Sequence, residues 1–276
     1  MSLRPSVLAL LAFLPTPTGP SYPWLDRTDP AQALAARVPP PPRYERAPAE
    51  PGSFGEWLRG LPLKPGRPAV YLFDGRAKAR QDVHHAVVDL DVGSRDLQQC
   101  ADAVIRLRAE YLFSRGAPDA IAFDFTSGDR APYGRWRSGE RPLVKGRRVS
   151  WRAAAAAPDA SHDGFRRYLE VVFTYAGSYS LRRELAPAPG APAIGDVFVQ
   201  GGFPGHAVIV VDVVRERAGA RTLFLLAQSY MPAQEVHVLR NRERPDLDPW
   251  YPADFGDRLI TPEWTFGKED RRRWQP

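Results

Sequence analysis

From His85 to Val92 the chain nearly alternates, with Ala86, Val88, Leu90 and Val92 on one face and His85, Val87, Asp89 and Asp91 on the other. That two-residue period predicts a strand, and the short apolar run Ala69 to Phe73 predicts another before it. Past Ser94 the period lengthens. Leu97, Cys100, Val104, Leu107 and Tyr111 recur at the three- and four-residue spacing of a core-facing helical stripe, with Ser94 as cap, Asp96 complementing the dipole and Gly116 as the stop. Ile121 to Phe125 predicts a strand and the Gly- and Arg-rich stretch Thr126 to Arg148 a long loop carrying Tyr133 and Trp136. A second amphipathic helix is predicted from Asp163 to Ala176, with Phe165, Leu169, Val172 and Ala176 on one face.

The second half changes character. Val197 to Val199, His206 to Val214, Thr222 to Gln228 and Glu235 to Leu239 are apolar runs joined by short turns such as Ala218-Gly219, the pattern of an antiparallel meander. Helices first and sheet later make the expected class α+β, with the cysteine-bearing helix packed on the later sheet.

Organisation along the chain follows from proline. Residues 21–52 are dense in it, Pro39 to Pro42 being consecutive, which predicts an extended linker ahead of a single domain over 53–276. Residues 1–20 resemble a signal or anchor segment: Arg4 precedes the apolar run Val7 to Leu14, although Pro15-Thr16-Pro17 stands where a small-residue cleavage site is wanted. Export to the periplasm or cell envelope is the expectation that this leader allows. No other run approaches the roughly 20 apolar residues that span a bilayer, so no membrane span is expected in the mature domain.

Composition narrows the partners. At 276 residues, 43% hydrophobic, the chain can bury a full core without disulfides, and its single cysteine cannot form one within the chain. The net charge of +6 would suit nucleic acid if the basic residues were clustered, but only four of the 38 are lysines and the arginines are scattered, so no nucleic-acid partner is expected. His84 and His85 are adjacent on a strand and point to opposite faces, which disfavours a shared metal site; no metal and no cofactor is expected. Gly201-Gly202 lacks the spacing and the lysine of a phosphate loop.

Three residues stand out chemically. A helix N-terminus favours a thiolate, and Cys100 falls in the first turns of the predicted helix. His206, after Gly205, opens a core strand that can face that helix end and take the thiol proton. Asp212, six residues along the same strand, is roughly 20 Å from His206 and cannot orient it, whereas Gln228 falls near the position opposite His206 across a hairpin.

The segments Gln99-Cys100-Ala101-Asp102-Ala103-Val104, Gly195-Asp196-Val197 through Gly205-His206, Ala227-Gln228-Ser229-Tyr230-Met231-Pro232-Ala233-Gln234 and Thr261-Pro262-Glu263-Trp264-Thr265-Phe266 resemble the bacterial family called domain of unknown function 4846. That name carries no activity. The succession of cysteine-bearing helix, Gly-Asp strand, Gly-His strand and a strand ending in a polar residue is also similar to papain-like hydrolases of the NlpC type, which cleave cell-wall peptides. That resemblance implies a papain-like arrangement with Cys100 as nucleophile, His206 as general base and Gln228 as orienting residue. It further implies an amide, peptide or peptidoglycan-like substrate. The Cys100 backbone amide and the Gln98 or Gln99 side chain are the oxyanion-hole candidates, and Gln99, Tyr133, Trp136 and Gly205 the substrate-binding ones.

Blander readings compete. Free cysteine is among the most buried residue types, and Cys100 lies on the apolar stripe; His206 and Gln228 are also what a strand start and a strand end can carry for structural reasons. The rival function is a non-catalytic envelope protein that binds glycan or peptide through Tyr133, Trp136 and Trp250. A metal-dependent enzyme built on His85, Asp89 and His206 is the third reading.

Overall fold

The computed structural model describes residues 19–154 and 157–275. The leader-like residues 1–18 lie outside them. The helices are α1 (Leu34–Arg37), α2 (Phe54–Arg59), α3 (Cys100–Ser114), α4 (Tyr133–Arg137), α5 (His162–Tyr175) and α6 (Ser178–Glu184). The strands are β1 (Tyr44–Arg46), β2 (His84–Val87), β3 (Ala122–Asp124), β4 (Arg130–Pro132), β5 (Glu140–Lys145), β6 (Arg148–Ala153), β7 (Ala186–Pro187), β8 (Val197–Gln200), β9 (His206–Glu216), β10 (Thr222–Gln228), β11 (His237–Leu239), β12 (Tyr251–Pro252), β13 (Arg258–Ile260), β14 (Thr265–Gly267) and β15 (Arg271–Arg273).

Nine strands form one antiparallel sheet in the order β2-β11-β10-β9-β8-β15-β7, with β1 added to β9 and β12 to β10. The meander β8-β9-β10-β11 is the one the apolar runs predict, and the mixed α+β class holds with the Cys100 helix packed on this sheet. From Ala207 to Val214 β9 reads as an apolar run broken only by Asp212, because both its faces are covered. Ala207, Ile209 and Val211 join the core beneath the helices, while Val208, Val210 and Val213 join a second cluster with Phe224, Leu259 and Phe266 from the C-terminal layer.

Local signals moved several elements. α3 starts at Cys100, six residues after the expected Ser94 cap, because Gln99 takes the cap position and its N–H donates to the Asp102 carboxylate at 3.1 Å. Cys100 is therefore the first residue of the helix. Ala69 to Phe73 is a turn with isolated bridges from Tyr71 to Ala77 and from Leu72 to Gln234, not a strand. The stretch Thr126 to Arg148 is not a loop: it holds β4, α4 and the first arm of the β5–β6 hairpin. Its aromatic residues face inward, where α4 packs on α5.

The proline-rich segment is not a free linker. Leu34 and Val38 are fully buried, Tyr22 packs edge-on against Trp24 and tilted against Trp57, and Trp57 donates to the Ser21 carbonyl at 2.9 Å. Its anchor is Asp212, wholly buried where β9 bulges against β10. Arg46 from β1 and Arg59 from α2 reach its two oxygens at 2.9 and 2.8 Å, and the same arginines donate onward to the carbonyls of Ala35, Val38 and Ala47. The segment lacks the periodicity of helix or sheet, yet it supplies the counter-charge that a buried aspartate requires.

Asp212→Ala leaves two half-buried guanidinium groups facing an apolar strand and is expected to cost about 3–5 kcal/mol in urea unfolding. A chain beginning at Ser53 loses Arg46 and Leu34 and should unfold at markedly lower urea than the full chain. An unchanged midpoint would reduce residues 21–52 to a tether.

Candidate functional site

The site forms where β9 and β10 part. Their ladder ends at the pair Ala227 and Ile209, and Val210 bonds toward β8 through its N–H to Asp196. Between His206 and Val210, ahead of the bulge, the odd-numbered residues of β9 therefore address β10, and the N–H of Ala207 points into the gap where β10 has turned away. The Cys100 thiol lies near enough to the Ala207 N–H for that amide to favour its thiolate. Gly205, on the turn leading into β9, is packed where no side chain fits: a Cβ there would collide with the Ser178 hydroxyl and meet the Gln200 carbonyl at 2.7 Å.

His206 and Gln228, expected only to fall near one another, face each other across the open end of the hairpin with Nε2 to Oε1 at 2.9 Å. Both side chains point to the face shared with Val208 and Leu226, so the ring is enclosed by Tyr230, Trp264 and Phe266. Among the described residues the ring's hydrogen bond is to Gln228, and none joins it to the Cys100 sulfur. Thiol and imidazole are instead neighbours through the backbone, the thiol lying near the amide of the residue that follows His206. Tyr230 borders both.

Sequence reasoning missed what fixes Gln228. Its Nε2 donates to Glu263 Oε2 at 2.7 Å, and Glu263 is held by the buried Lys78 at 2.8 Å. A second, longer contact runs from the same nitrogen to His237 Nε2 at 3.4 Å, whose Nδ1 lies 2.8 Å from the Glu235 carbonyl. A carboxylate only accepts, so the amide nitrogen must face Glu263 and the amide oxygen must face His206. His206 Nε2 then carries the hydrogen, and Nδ1 is left as the lone-pair nitrogen, the one able to accept a proton. Glu263 stands inside one of the quoted family segments, and Lys78 is one of only four lysines, both legible positions whose role was not.

The segment ahead of the thiol is also held. The Gln98 carbonyl lies 3.0 Å from the Ser229 hydroxyl, its side-chain oxygen accepts from the buried Arg106 at 3.0 Å, and Arg106 bonds Glu110 at 2.6 Å. Gln99 stays partly exposed, its side chain donating to Asp96 at 3.0 Å, and with Gly205 it lines the same 280 Å³ cavity as Cys100. Tyr133 and Trp136 do not reach it. Both are buried, Tyr133 against Phe165 and Tyr168, and Trp136 donating to the Gly164 carbonyl at 3.0 Å. Trp250 is buried as well, so the aromatic surface that a glycan-binding reading relied on is core packing. His85, Asp89 and His206 do not assemble, and no group of three or more His, Cys, Asp or Glu among the described residues is placed to hold a metal ion.

Burial sets the resting charges. It pushes the Cys100 thiol up to about 11, with Asp102 adding to the rise and the N–H groups of Ala207, Ala101 and Cys100 opposing it. Burial likewise lowers His206 to about 4 against the Gln228 hydrogen bond, and lowers His237 to about 3. Asp102, buried with one oxygen unpartnered, is raised well above the carboxylate range by burial. At neutral pH the thiol and both imidazoles are uncharged.

A family model described as Domain of unknown function (4846) matches residues 34–273. No curated protein and no solved structure matches the chain.

Two histidines buried uncharged make the fold acid-sensitive. Below an ordinary histidine pKa of about 6.5 the unfolded chain takes up protons that the native chain refuses, so each contributes stability that is lost as pH falls toward 4, at up to about 1.4 kcal/mol per pH unit. Asp102 works in the opposite sense, native protonation favouring the fold as pH falls. The discriminating measurement is thus the difference between the wild type and His237→Gln in urea midpoints from pH 7 to 5. The variant should show the shallower acid loss, and parallel curves would mean that His237 titrates normally.

Proposed function

The chain belongs to the family described as domain of unknown function 4846, and from that premise, which carries no activity, we propose that it is a cysteine hydrolase that cleaves an amide or peptide bond through a thioester at Cys100. The observation that carries this reading is the Glu263–Gln228–His206 relay, which leaves His206 Nδ1 free to accept a proton next to Ala207, the residue whose N–H opposes the rise of the Cys100 thiol. The order of helix cysteine, strand histidine and amide on the next strand is papain-like, and the reading rests on these residues. An exported, cell-envelope setting belongs to the same proposal and rests on the leader-like run at Arg4 and Val7 to Leu14.

In this mechanism His206 Nδ1 takes the thiol proton as Cys100 sulfur attacks the carbonyl carbon. The oxyanion forms at the first turn of α3, where amides have no intrahelical partner, with the Cys100 N–H and the Gln99 side chain as donors. The imidazolium returns the proton to the leaving amine as the C–N bond breaks. Water, deprotonated by the same nitrogen, then attacks the thioester and releases the acid and the free thiol. Gln228 holds the ring and stabilises the imidazolium through its oxygen, and Glu263 keeps that oxygen facing the ring.

Acylation by 4-nitrophenyl acetate tests this directly. Nitrophenolate should be released and Cys100 acylated at pH 7–8, with no modification in Cys100→Ala. His206→Ala should be slower by about 10²–10⁴-fold, and Glu263→Gln, which frees the amide to turn over, should be slowed less. The reading fails if acylation follows the pH dependence of an isolated thiol and is indifferent to His206.

A further inference from the structure

The Cys100 cavity continues past Gly202 and Phe203 into a larger groove of about 660 Å³, roofed on one side by the turn of the β5–β6 hairpin and floored by α5 and α6. Two features of this groove bear on what it can hold. Six large apolar side chains are exposed among the described residues, and four of them stand here: Tyr175, Tyr179 and Phe203 in the groove, and Met231 at the Cys100 cavity. Phe203, 91% exposed, sits at the junction of the two. Clustered exposed aromatics are characteristic of binding surfaces, where single ones need no explanation.

The second feature is charge. About half of the described arginines are paired with carboxylates, as are the neighbouring Arg182 with Asp270 and Arg130 with Asp124 and Glu184. Arg147 and Arg183, both lining the groove, have no ion-pair partner among the described residues, and no Asp or Glu lines that cavity. Arg183 lies over the Tyr179 ring at 5.6 Å, which holds the guanidinium along the groove wall. Two unpaired guanidinium groups beside an aromatic strip complement a carboxylate next to an apolar or aromatic group.

We propose that this groove binds an acidic, extended peptide, with glutamate- or aspartate-type carboxylates on Arg147 and Arg183 and an apolar side chain against Tyr179 and Phe203, so that the scissile bond reaches Cys100. The assignment of the scissile bond rests on the hydrolase reading above; the binding preference does not.

Fluorescence polarisation on the full-length Cys100→Ala chain separates the two. The labelled peptide Glu-Phe-Glu-Phe-Gly-Gly should bind at least about tenfold more tightly than its glutamine counterpart, a discrimination of about 1.4 kcal/mol. Arg147→Gln with Arg183→Gln should abolish that preference at unchanged melting temperature, and Arg183→Lys restored beside Arg147 should recover part of it. In the wild type the acidic peptide should slow iodoacetamide labelling of Cys100. Equal binding of the two peptides, or a preference that survives the double substitution, overturns the proposal, as does displacement of the peptide by a single-stranded oligonucleotide at lower concentration than by unlabelled peptide. Charge-selective binding without reaction of 4-nitrophenyl acetate would remove the hydrolase and leave the groove; the reverse result would do the opposite.

Discussion

An amide side chain in a dry site has one face that accepts and one that donates, and turning it over costs every bond it makes. Gln228 is in that position. The Glu263 carboxylate, itself fixed by Lys78, can only accept, so it dictates the orientation of the amide, and the amide dictates the tautomer of His206. A buried ion pair is a weak source of net stability, because desolvation offsets its attraction. Its presence behind Gln228 is better explained by what it specifies: without a charged acceptor on one side, the amide could face His206 through its nitrogen and leave the ring with the opposite tautomer.

β9 links this constraint to the rest of the fold. One end carries His206, and the other carries Asp212 in a bulge that the N-terminal segment clamps with Arg46 and Arg59. The strand is covered on both faces, by the helices and by the C-terminal layer, so its ends have little freedom to slide. The C-terminal layer is doubly used. Phe266 fills the second core while Glu263 and Trp264, from the same few residues, close the histidine pocket.

Much of this was legible. Apolar runs and short turns are strong local signals, so β8 to β11 and the nearness of Gln228 to His206 could be read from spacing, whereas the register that brings their side chains to one face could not. Three kinds of feature could not. The start of α3 depended on Gln99 and Asp102 competing with Ser94, a contest between weak caps settled by contacts with Asp96 and Ser229 from outside the helix. The proline-rich segment carries its information in single long-range bonds, such as Arg46 to Asp212, which leave no periodic trace. Tyr133 and Trp136 look like exposed loop aromatics in a Gly- and Arg-rich stretch, but the arginines cover them: Arg141 lies 3.7 Å over the Trp136 ring.

The resting charges constrain how such a site could work. With the thiol near 11 and the imidazole near 4, a separated thiolate and imidazolium lie about 10 kcal/mol above the neutral pair. Bringing the two ions to about 4 Å at an effective dielectric near 20 returns about 4 kcal/mol, which leaves the ion pair a minor species. A preformed thiolate of the kind found at open helix termini is therefore not the resting state of this cysteine. In the proposed hydrolase, proton transfer concerted with attack would avoid the deficit, because charge would appear on the substrate oxygen at the α3 terminus as it leaves the sulfur, where helix amides without partners can meet it. On the proposed reading such a site reacts only slowly with electrophiles that offer no developing oxyanion, and what fills the cavity beside Cys100 sets its selectivity.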